Sequence, residues 1–168
     1  MSNVERYFNA PWGTMLKVIS TLATVLLLGV FGGMAHSGRA STVVTMLLYM
    51  GVPLLIVFIC LLFTVRGYTI SGNTLRIRRL LWNSDIDISM LSSVEYDPKA
   101  MTGSIRILGN GGLYSFSGKY RSGKLGSFKA YVTDFKNCVI IERTVGTIVV
   151  SPENPDLFVE VLRSREWV

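Results

Sequence analysis

The feature that most constrains this chain is the absence of charge from two long apolar runs near its start. Between Lys17 and Arg66 the only charged residue is Arg39. A bilayer core of roughly 30 Å needs about 20 mostly apolar residues in a helix. The runs Val18–Met34 and Val43–Val65 approach or meet that length. The sequence therefore predicts a transmembrane helical hairpin.

The predicted hairpin divides the chain into three parts. Its helices are expected at about residues 15–35 and 42–65, with a short segment, residues 1–14, ahead of them and a folded domain, residues 66–165, behind. Basic residues near the ends of spans favour the cytoplasmic side. The connector between the two helices has Arg39 as its only lysine or arginine. We therefore expect a multi-pass protein of the cell membrane with both termini in the cytoplasm.

A pair of glycines in the first run has the spacing of a helix-packing face. Gly29 and Gly33 form a G-x-x-x-G motif, which lets two helix backbones approach closely. The motif is consistent with packing of the two helices of one hairpin and also with a homo-oligomer. In the second run, Pro53 is expected to bend the helix because it removes a backbone donor.

Residues that commonly carry catalysis or metal binding are sparse. Cys60 and Cys138 lie far apart in the sequence, so a disulfide is not expected. The only histidine, His36, lies in the predicted connector, and Asp85 and Asp87 have no third potential metal ligand nearby. Because no nucleophile motif is present either, we predict that the protein is not an enzyme and has no metal or cofactor.

The hydrophobic pattern changes to a period of two after Arg66. Leu75 and Ile77 alternate with Arg76 and Arg78, which is typical of a strand with one buried face. Glycine-rich turns are expected at residues 109–112, and a basic loop at 120–126. The predicted strands are residues 67–71, 74–80, 86–88, 93–96, 105–108, 113–117, 127–133, 138–144 and 147–150.

The end of the chain returns to a helical period. Asn154 is a suitable N-cap and Pro155 suits the first helical position. Leu157, Phe158, Val161 and Leu162 are expected on one apolar face. Short antiparallel strands followed by one amphipathic helix predict a small antiparallel β barrel or sandwich capped by that helix, so the fold class of the whole chain is membrane-anchored α+β.

Several segments of the predicted domain resemble the bacterial PH-like (pleckstrin-homology-like) family. They are RILGNGGLY at 106–114, GKY at 118–120, AYVT at 130–133, VII at 139–141 and IVVSPENPDLF at 148–158. Members of this family often carry a transmembrane pair ahead of the domain. The resemblance implies a PH-like fold from about residue 66 and brings no catalytic residues with it.

Three arginines are candidates for binding lipid headgroups. In eukaryotic PH domains, a basic residue followed at some distance by a basic-x-basic strand holds phosphoinositide phosphates, and Arg66, Arg76 and Arg78 are similar to that pattern. Arg76 and Arg78 share one strand face, so two guanidinium groups could grip one phosphate-rich headgroup. The alternative is a solvated face without a specific ligand.

A second basic cluster is formed by Lys119, Arg121 and Lys124, with Lys129 close behind. Aromatic residues lie between these cations, as in some nucleic-acid-binding proteins. The predicted membrane tether and the acidic residues elsewhere argue against nucleic acid as a partner.

Two functions follow as hypotheses. The first is a non-enzymatic, membrane-anchored PH-like module that binds a protein partner or its own copies at the cytoplasmic face. The second is a domain that binds or senses anionic lipid through a basic strand face. Both include the lipid bilayer as a partner.

Overall fold

Ten strands and three α-helices are present in the part of the chain that the structure, a computed structural model, describes: residues 5–36 and 43–164. The helices are α1 (Thr14–His36), α2 (Val43–Leu62) and α3 (Pro155–Arg163). The strands are β1 (Arg6–Asn9), β2 (Gly67–Ser71), β3 (Thr74–Arg78), β4 (Asn83–Asp87), β5 (Leu91–Tyr96), β6 (Ile105–Gly111), β7 (Phe116–Ser122), β8 (Gly126–Val132), β9 (Val139–Arg143) and β10 (Thr147–Val150).

The strands form two sheets. The four-stranded sheet has the order β1-β2-β3-β4, and the six-stranded sheet has the order β5-β9-β10-β8-β7-β6. All neighbours are antiparallel except β8 and β10, which run parallel. The prediction of a wholly antiparallel domain is therefore wrong at this pair. After β8 the chain continues through a 3₁₀ turn, Phe135–Asn137, into β9, but β8 and β9 are not neighbours in the sheet. β10 lies between them and pairs with both.

One core lies between the two sheets and α3. Tyr68 and Ile77 of the four-stranded sheet pack with Val139 and Ile148 of the six-stranded sheet, and Phe158 of α3 completes this cluster. All five side chains are buried. The four-stranded sheet and α3 thus cover the part of the six-stranded sheet that β5, β9 and β10 form.

A second core covers the opposite face of the six-stranded sheet. Phe116, Phe128 and Val149 pack there against Leu16, which comes from the start of α1, and against Met101. Because β9 and β10 are buried on both faces, they consist of nearly continuous apolar residues instead of alternating ones.

Strand β1, Arg6–Asn9, belongs to the folded domain although it precedes both long helices. The sequence placed residues 1–14 outside it, but β1 pairs antiparallel with β2, and Phe8 packs edge-on against Phe158 with 5.0 Å between ring centroids. The physical reason is that β2 would otherwise be an edge strand with unpaired backbone groups.

The predicted location in the cell membrane as a multi-pass protein is wrong, and with it the predicted orientation. Among the residues that the structure describes, no helix is both long and apolar enough to span a bilayer. The first turns of α1 are instead committed to the domain, because Leu16 and Ser20 are buried there. Beyond Thr24, residues 25–36 extend only about 18 Å at ~1.5 Å per residue.

The helix-packing glycines have open space around them. Gly29 and Gly33 are exposed, and a Cβ built at either position would meet no described heavy atom within 4 Å. Their role in packing stays a prediction. Pro53 lies inside α2, whereas the connector around Arg39 lies outside the described residues.

The capping helix predicted near the end of the domain is confirmed as α3, with two differences in detail. Asn154 precedes the helix but its side chain makes no capping hydrogen bond. Leu157 is exposed, and Val159 is buried in its place beside Phe158. The helix start therefore depends on Pro155 and on the first-turn acid, Asp156, more than on a side-chain cap.

Candidate ligand-binding site

The six-stranded sheet has one region that the four-stranded sheet leaves uncovered. In the parallel pair, Lys129 lies opposite Ile148 in β10, and Tyr131 lies opposite Val150. Residues directly opposite each other point to the same face of a sheet. Lys129 and Tyr131 therefore continue the inner face of the first core beyond its covered part. A cavity of about 650 Å³ lies here, between the sheet and the end of α2.

Two lysines form the cationic floor of the cavity. Lys119 in β7 and Lys129 in β8 are direct cross-strand partners, and both are exposed. Like charges directly opposite each other destabilise a sheet. No aspartate or glutamate is among the described residues that line the cavity, so the pair is not neutralised there.

Arg79 adds a third cation, which aromatic rings surround. Its guanidinium carbon lies 5.4 Å from the ring centroid of Phe63, 5.7 Å from that of Trp82 and 5.5 Å from that of Tyr131. Its buried Nε has no hydrogen-bond partner among the described residues. Burial lowers the pKa of Arg79 from its ordinary value, because desolvation disfavours the charged form. Arginine nevertheless stays protonated at neutral pH.

Two facing glycines bring β6 and β7 close together beneath the cavity. Gly109 and Gly118 are paired across the strands and have φ values of +115° and +141°. A Cβ on Gly118 would collide with the carbonyl of Leu108, and one on Gly109 would collide with the carbonyl of Ser117. These positions therefore require glycine, and the backbone itself forms part of the cavity surface.

The remaining walls come from α2 and β6. Ile59 of α2 and Phe63, which follows the last residue of α2, line the cavity on one side, and Leu108 lines it from β6. The end of α2 is held in place because Ser115 Oγ donates to the Phe63 carbonyl at 3.2 Å. A fourth cation, Arg106, also lines the cavity, and its Nη1 donates to the Gly109 carbonyl at 3.2 Å.

Comparison with protein families identifies the domain that carries this cavity. The family model described as Bacterial PH domain matches residues 66–166, which is more than half of the chain. The chain belongs to the bacterial PH domain family. No curated protein and no solved structure shows significant similarity to it. The PH-like prediction is thus confirmed, while the transmembrane hairpin ahead of it is not supported.

The family match covers the floor of the cavity but not all of its walls. β6, β7, β8 and Arg79 lie inside the matched residues, whereas Ile59 and Phe63 precede them. The cavity is thus completed by a helix that lies outside the matched PH domain.

No member of the predicted headgroup triad lines the cavity, and Arg76 and Arg78 lie on the face of β3 opposite the buried Leu75 and Ile77. Arg76 makes a bidentate ion pair with Asp85 on β4, with N–O distances of 2.8 and 3.1 Å. This contact raises the pKa of Arg76 and lowers that of Asp85. Arg78 lies 5.6 Å from the ring centroid of Tyr7. Arg66 is exposed. Because Arg76 is paired with Asp85, the triad does not form a set of three unpaired cations.

The second predicted cluster is divided by the structure. Lys119 lines the cavity. Arg121 lies on β7 opposite Ser127, and Lys124 lies in the turn after β7, with its Nζ 2.6 Å from Asp97. The predicted loop at 120–126 is wrong at its start, because β7 continues to Ser122.

Sequence reasoning did not assign Arg79 or Arg106 to a site, and it did not pair Lys129 with Lys119. A signal for that pair was present: Lys119 and Lys129 are equidistant from Lys124, as expected for partners in a hairpin. Nothing local marks Arg79, because Phe63 and Tyr131 are far from it in sequence.

The residues that the structure describes contain no cluster of side chains suited to binding a metal ion. No group of three or more His, Cys, Asp or Glu side chains among them is placed to hold a metal ion. Asp85 is engaged by Arg76, and Asp87 accepts a hydrogen bond from the Ser89 backbone at 2.8 Å.

Proposed function

We propose that this chain is a non-enzymatic interaction module of the PH class that binds an anionic ligand in the cavity between α2 and β6–β8. The observation that supports this most strongly is a cavity whose described lining has four cations and no carboxylate. Of the two hypotheses drawn from the sequence, this is closest to anionic-lipid binding. It uses a different basic face, because Arg76 is already neutralised by Asp85.

The arrangement of the cations has an energetic cost that a ligand would offset. Lys119 and Lys129 repel each other across neighbouring strands, and Arg79 is half-buried without a carboxylate partner in the described residues. Local rules of stability are most often broken where a protein has a function. An anion between Lys119 and Lys129 would turn a repulsive pair into two charge-assisted hydrogen bonds.

The chemistry of the lining favours binding over catalysis. Neither a histidine nor a carboxylate is present in the described lining to act as a general base. Cys60 lies in the wall, but burial raises the pKa of its thiol. A thiol that holds its proton is a weak nucleophile.

The test replaces one lysine of the pair with an acid. In Lys129→Glu, the cross-strand pair becomes attractive, so we expect the free energy of unfolding to rise by about 0.2–1 kcal/mol while anion binding is lost. Isothermal titration calorimetry with pyrophosphate and with octyl phosphate measures binding, and urea denaturation measures stability. A neutral non-ionic detergent keeps the exposed apolar helices from aggregating.

Arg121→Glu is the matched control. It makes the same change in charge on the neighbouring strand, and Arg121 does not line the cavity. We expect it to retain binding. If neither anion binds the wild-type protein, or if Lys129→Glu binds as tightly as Arg121→Glu, the proposed function is refuted.

A second candidate function is self-association through the helices. Leu22, Leu26 and Leu47 are 64%, 67% and 66% exposed, and contiguous exposed apolar surface marks interaction sites. A second copy would offer a matching uncharged face. Sedimentation velocity should then show a dimer that Leu26→Gln weakens, and a wild-type protein that stays monomeric at high concentration would contradict it.

A further inference from the structure

The distribution of side chains around the cavity separates charge from apolar surface. Lys119 and Lys129 lie on β7 and β8, and Arg79 packs on Tyr131 of β8. Leu108 lies on β6 at the edge of the sheet, and Leu113 lies two residues after the end of β6. Three of the four lining cations, Arg79, Lys119 and Lys129, therefore lie toward β8, and the leucines lie on the β6 side.

The register of the strands makes this separation explicit. Leu108, Lys119 and Lys129 form one row across β6, β7 and β8, because Leu108 pairs with Lys119 and Lys119 pairs with Lys129. Neighbouring strands are about 4.8 Å apart. An anion held by the two lysines would thus lie beside Leu108, within the length of a few methylene groups.

The wall at the end of α2 is also apolar, and it reaches the cationic side, because the Phe63 ring centroid lies 5.4 Å from the Arg79 guanidinium carbon. Ile59 and Phe63 face the same cavity, and Phe63 is fixed by its edge-on contact with Trp82 at 4.9 Å. Arg106 is the exception on the β6 side, but its guanidinium is drawn back along its own strand to the Gly109 carbonyl. The volume of about 650 Å³ lies within the range of ~300–1,000 Å³ typical of small-molecule sites.

We infer that the cavity takes an amphiphile with a single alkyl or acyl chain and a phosphate-type anionic head. The head binds between Lys119 and Lys129, and the chain lies against Leu108, Leu113 and Ile59. This inference rests on the proposed function, since it names the ligand class of the same site. A free phosphate shares the chemistry of the head but lacks the chain, so the two sources give different results below.

The test compares alkyl phosphates of different length. Each buried methylene contributes about 0.8 kcal/mol, which corresponds to about fourfold in affinity. Octyl phosphate should therefore bind at least tenfold more tightly than butyl phosphate, and inorganic phosphate should bind most weakly. Octanol, which has the chain without the charge, should bind more weakly than octyl phosphate.

Trp82 provides a readout at the site itself, because its ring contacts Phe63 and Arg79. In a Trp12→Phe/Trp167→Phe background it is the only tryptophan, so its fluorescence reports on the cavity. The wall variant is Leu108→Ser. Its matched control is Ile105→Ser on the same strand. Leu108 is 72% exposed and Ile105 is 73% exposed, but only Leu108 lines the cavity.

The outcomes separate this inference from the proposed function. A chain-length advantage that is lost in Leu108→Ser and kept in Ile105→Ser supports the amphiphile. Equal affinity for octyl phosphate, butyl phosphate and inorganic phosphate overturns it, while the proposed anion site stands. Equal affinity for octanol and octyl phosphate also overturns it. If no phosphate compound binds, the proposed function has failed as well.

Discussion

At the scale of single residues, the hydroxyl of Tyr68 connects three segments of the first core. It donates to the Tyr131 carbonyl at 2.6 Å and accepts from the Ser151 backbone N–H at 3.1 Å. Burial raises the pKa of this phenol well above its ordinary value, because the charged form would be desolvated. The folded state therefore holds Tyr68 in its neutral form.

Tyr68→Phe should lower the free energy of unfolding by about 1–3 kcal/mol at pH 7, since it removes the buried hydrogen bonds of this hydroxyl to the Tyr131 carbonyl and the Ser151 backbone N–H. The raised pKa of Tyr68 also makes the stability of the protein depend on pH. Above pH about 10 an unfolded tyrosine loses its proton while Tyr68 keeps it, so wild-type stability falls as the pH rises. Urea denaturation at pH 7 to 11 measures both effects.

The matched control is Tyr96→Phe, because Tyr96 is more than a third exposed and donates only to the Lys136 carbonyl. It should cost little and leave the alkaline loss of stability unchanged. An alkaline decline in Tyr68→Phe as steep as in the wild-type protein would contradict the assignment to Tyr68.

Single residues also show where sequence reasoning reached its limit. Lys119 was predicted as a binding candidate and does line the cavity. Arg76 was predicted as a candidate for binding lipid headgroups, and the structure places Asp85 opposite it across β3 and β4. The predicted strand began at residue 86, so the register that brings Asp85 opposite Arg76 could not be derived. The position of Arg79 could not be predicted either, because the tertiary fold brings Phe63 and Tyr131 next to it from distant parts of the sequence.

At the scale of elements, α1 is attached to the sheet domain through Ser20. This hydroxyl, which is buried, donates to the Gly112 carbonyl at 3.2 Å and accepts from the Tyr114 backbone N–H at 3.0 Å. Thr24 adds a contact with the Tyr114 hydroxyl at 2.9 Å. The turn between β6 and β7 is thereby held against α1, and Leu113 of the cavity wall lies in that turn.

Ser20→Ala should leave two backbone groups in the turn unsatisfied and cost about 1–3 kcal/mol locally. We expect faster amide hydrogen exchange in residues 112–115 than in the wild-type protein. Thr21→Ala is the control, because Thr21 lies on the exposed side of the same helical turn. Exchange rates that are the same in both variants would show that Ser20 does not hold the turn.

The elements were predicted best where their pattern is local. The β2–β3 hairpin and α3 follow from alternation and from a proline at the first helical position. β1 was missed because four residues, Arg6–Asn9, are too few to show a period. The parallel pairing of β8 with β10 was missed because no local pattern specifies which strand is the neighbour of another.

At the scale of the whole molecule, the two ends of the described chain hold each other. Phe8 on β1 is buried against Phe158 on α3. Asn9 Nδ2 donates to the Glu153 carboxylate at 3.0 Å, and the Glu153 backbone N–H donates to the Asn9 carbonyl at 3.0 Å. The PH domain is therefore closed by a segment that precedes both long helices.

Phe8→Ala should destabilise the whole domain by about 3–5 kcal/mol, the usual cost of removing a buried phenylalanine. The loss should appear in one cooperative transition, because Phe8 belongs to the first core. Thermal unfolding followed by circular dichroism measures it. Tyr7→Ala, on the exposed face of the same strand, should cost much less, and equal losses would contradict a core role for β1.

The central position of β10 also sets the order in which the domain can be completed during synthesis. Until Thr147–Val150 has been made, no strand pairing joins the β6–β7–β8 meander to the β5–β9 pair, because β10 is the strand that pairs with both β8 and β9. Strands that pair late leave exposed edges on a nascent chain. A polypeptide released just before Thr147 would already contain both lysines of the binding site, yet the edges of β8 and β9 that β10 covers would be open to another chain.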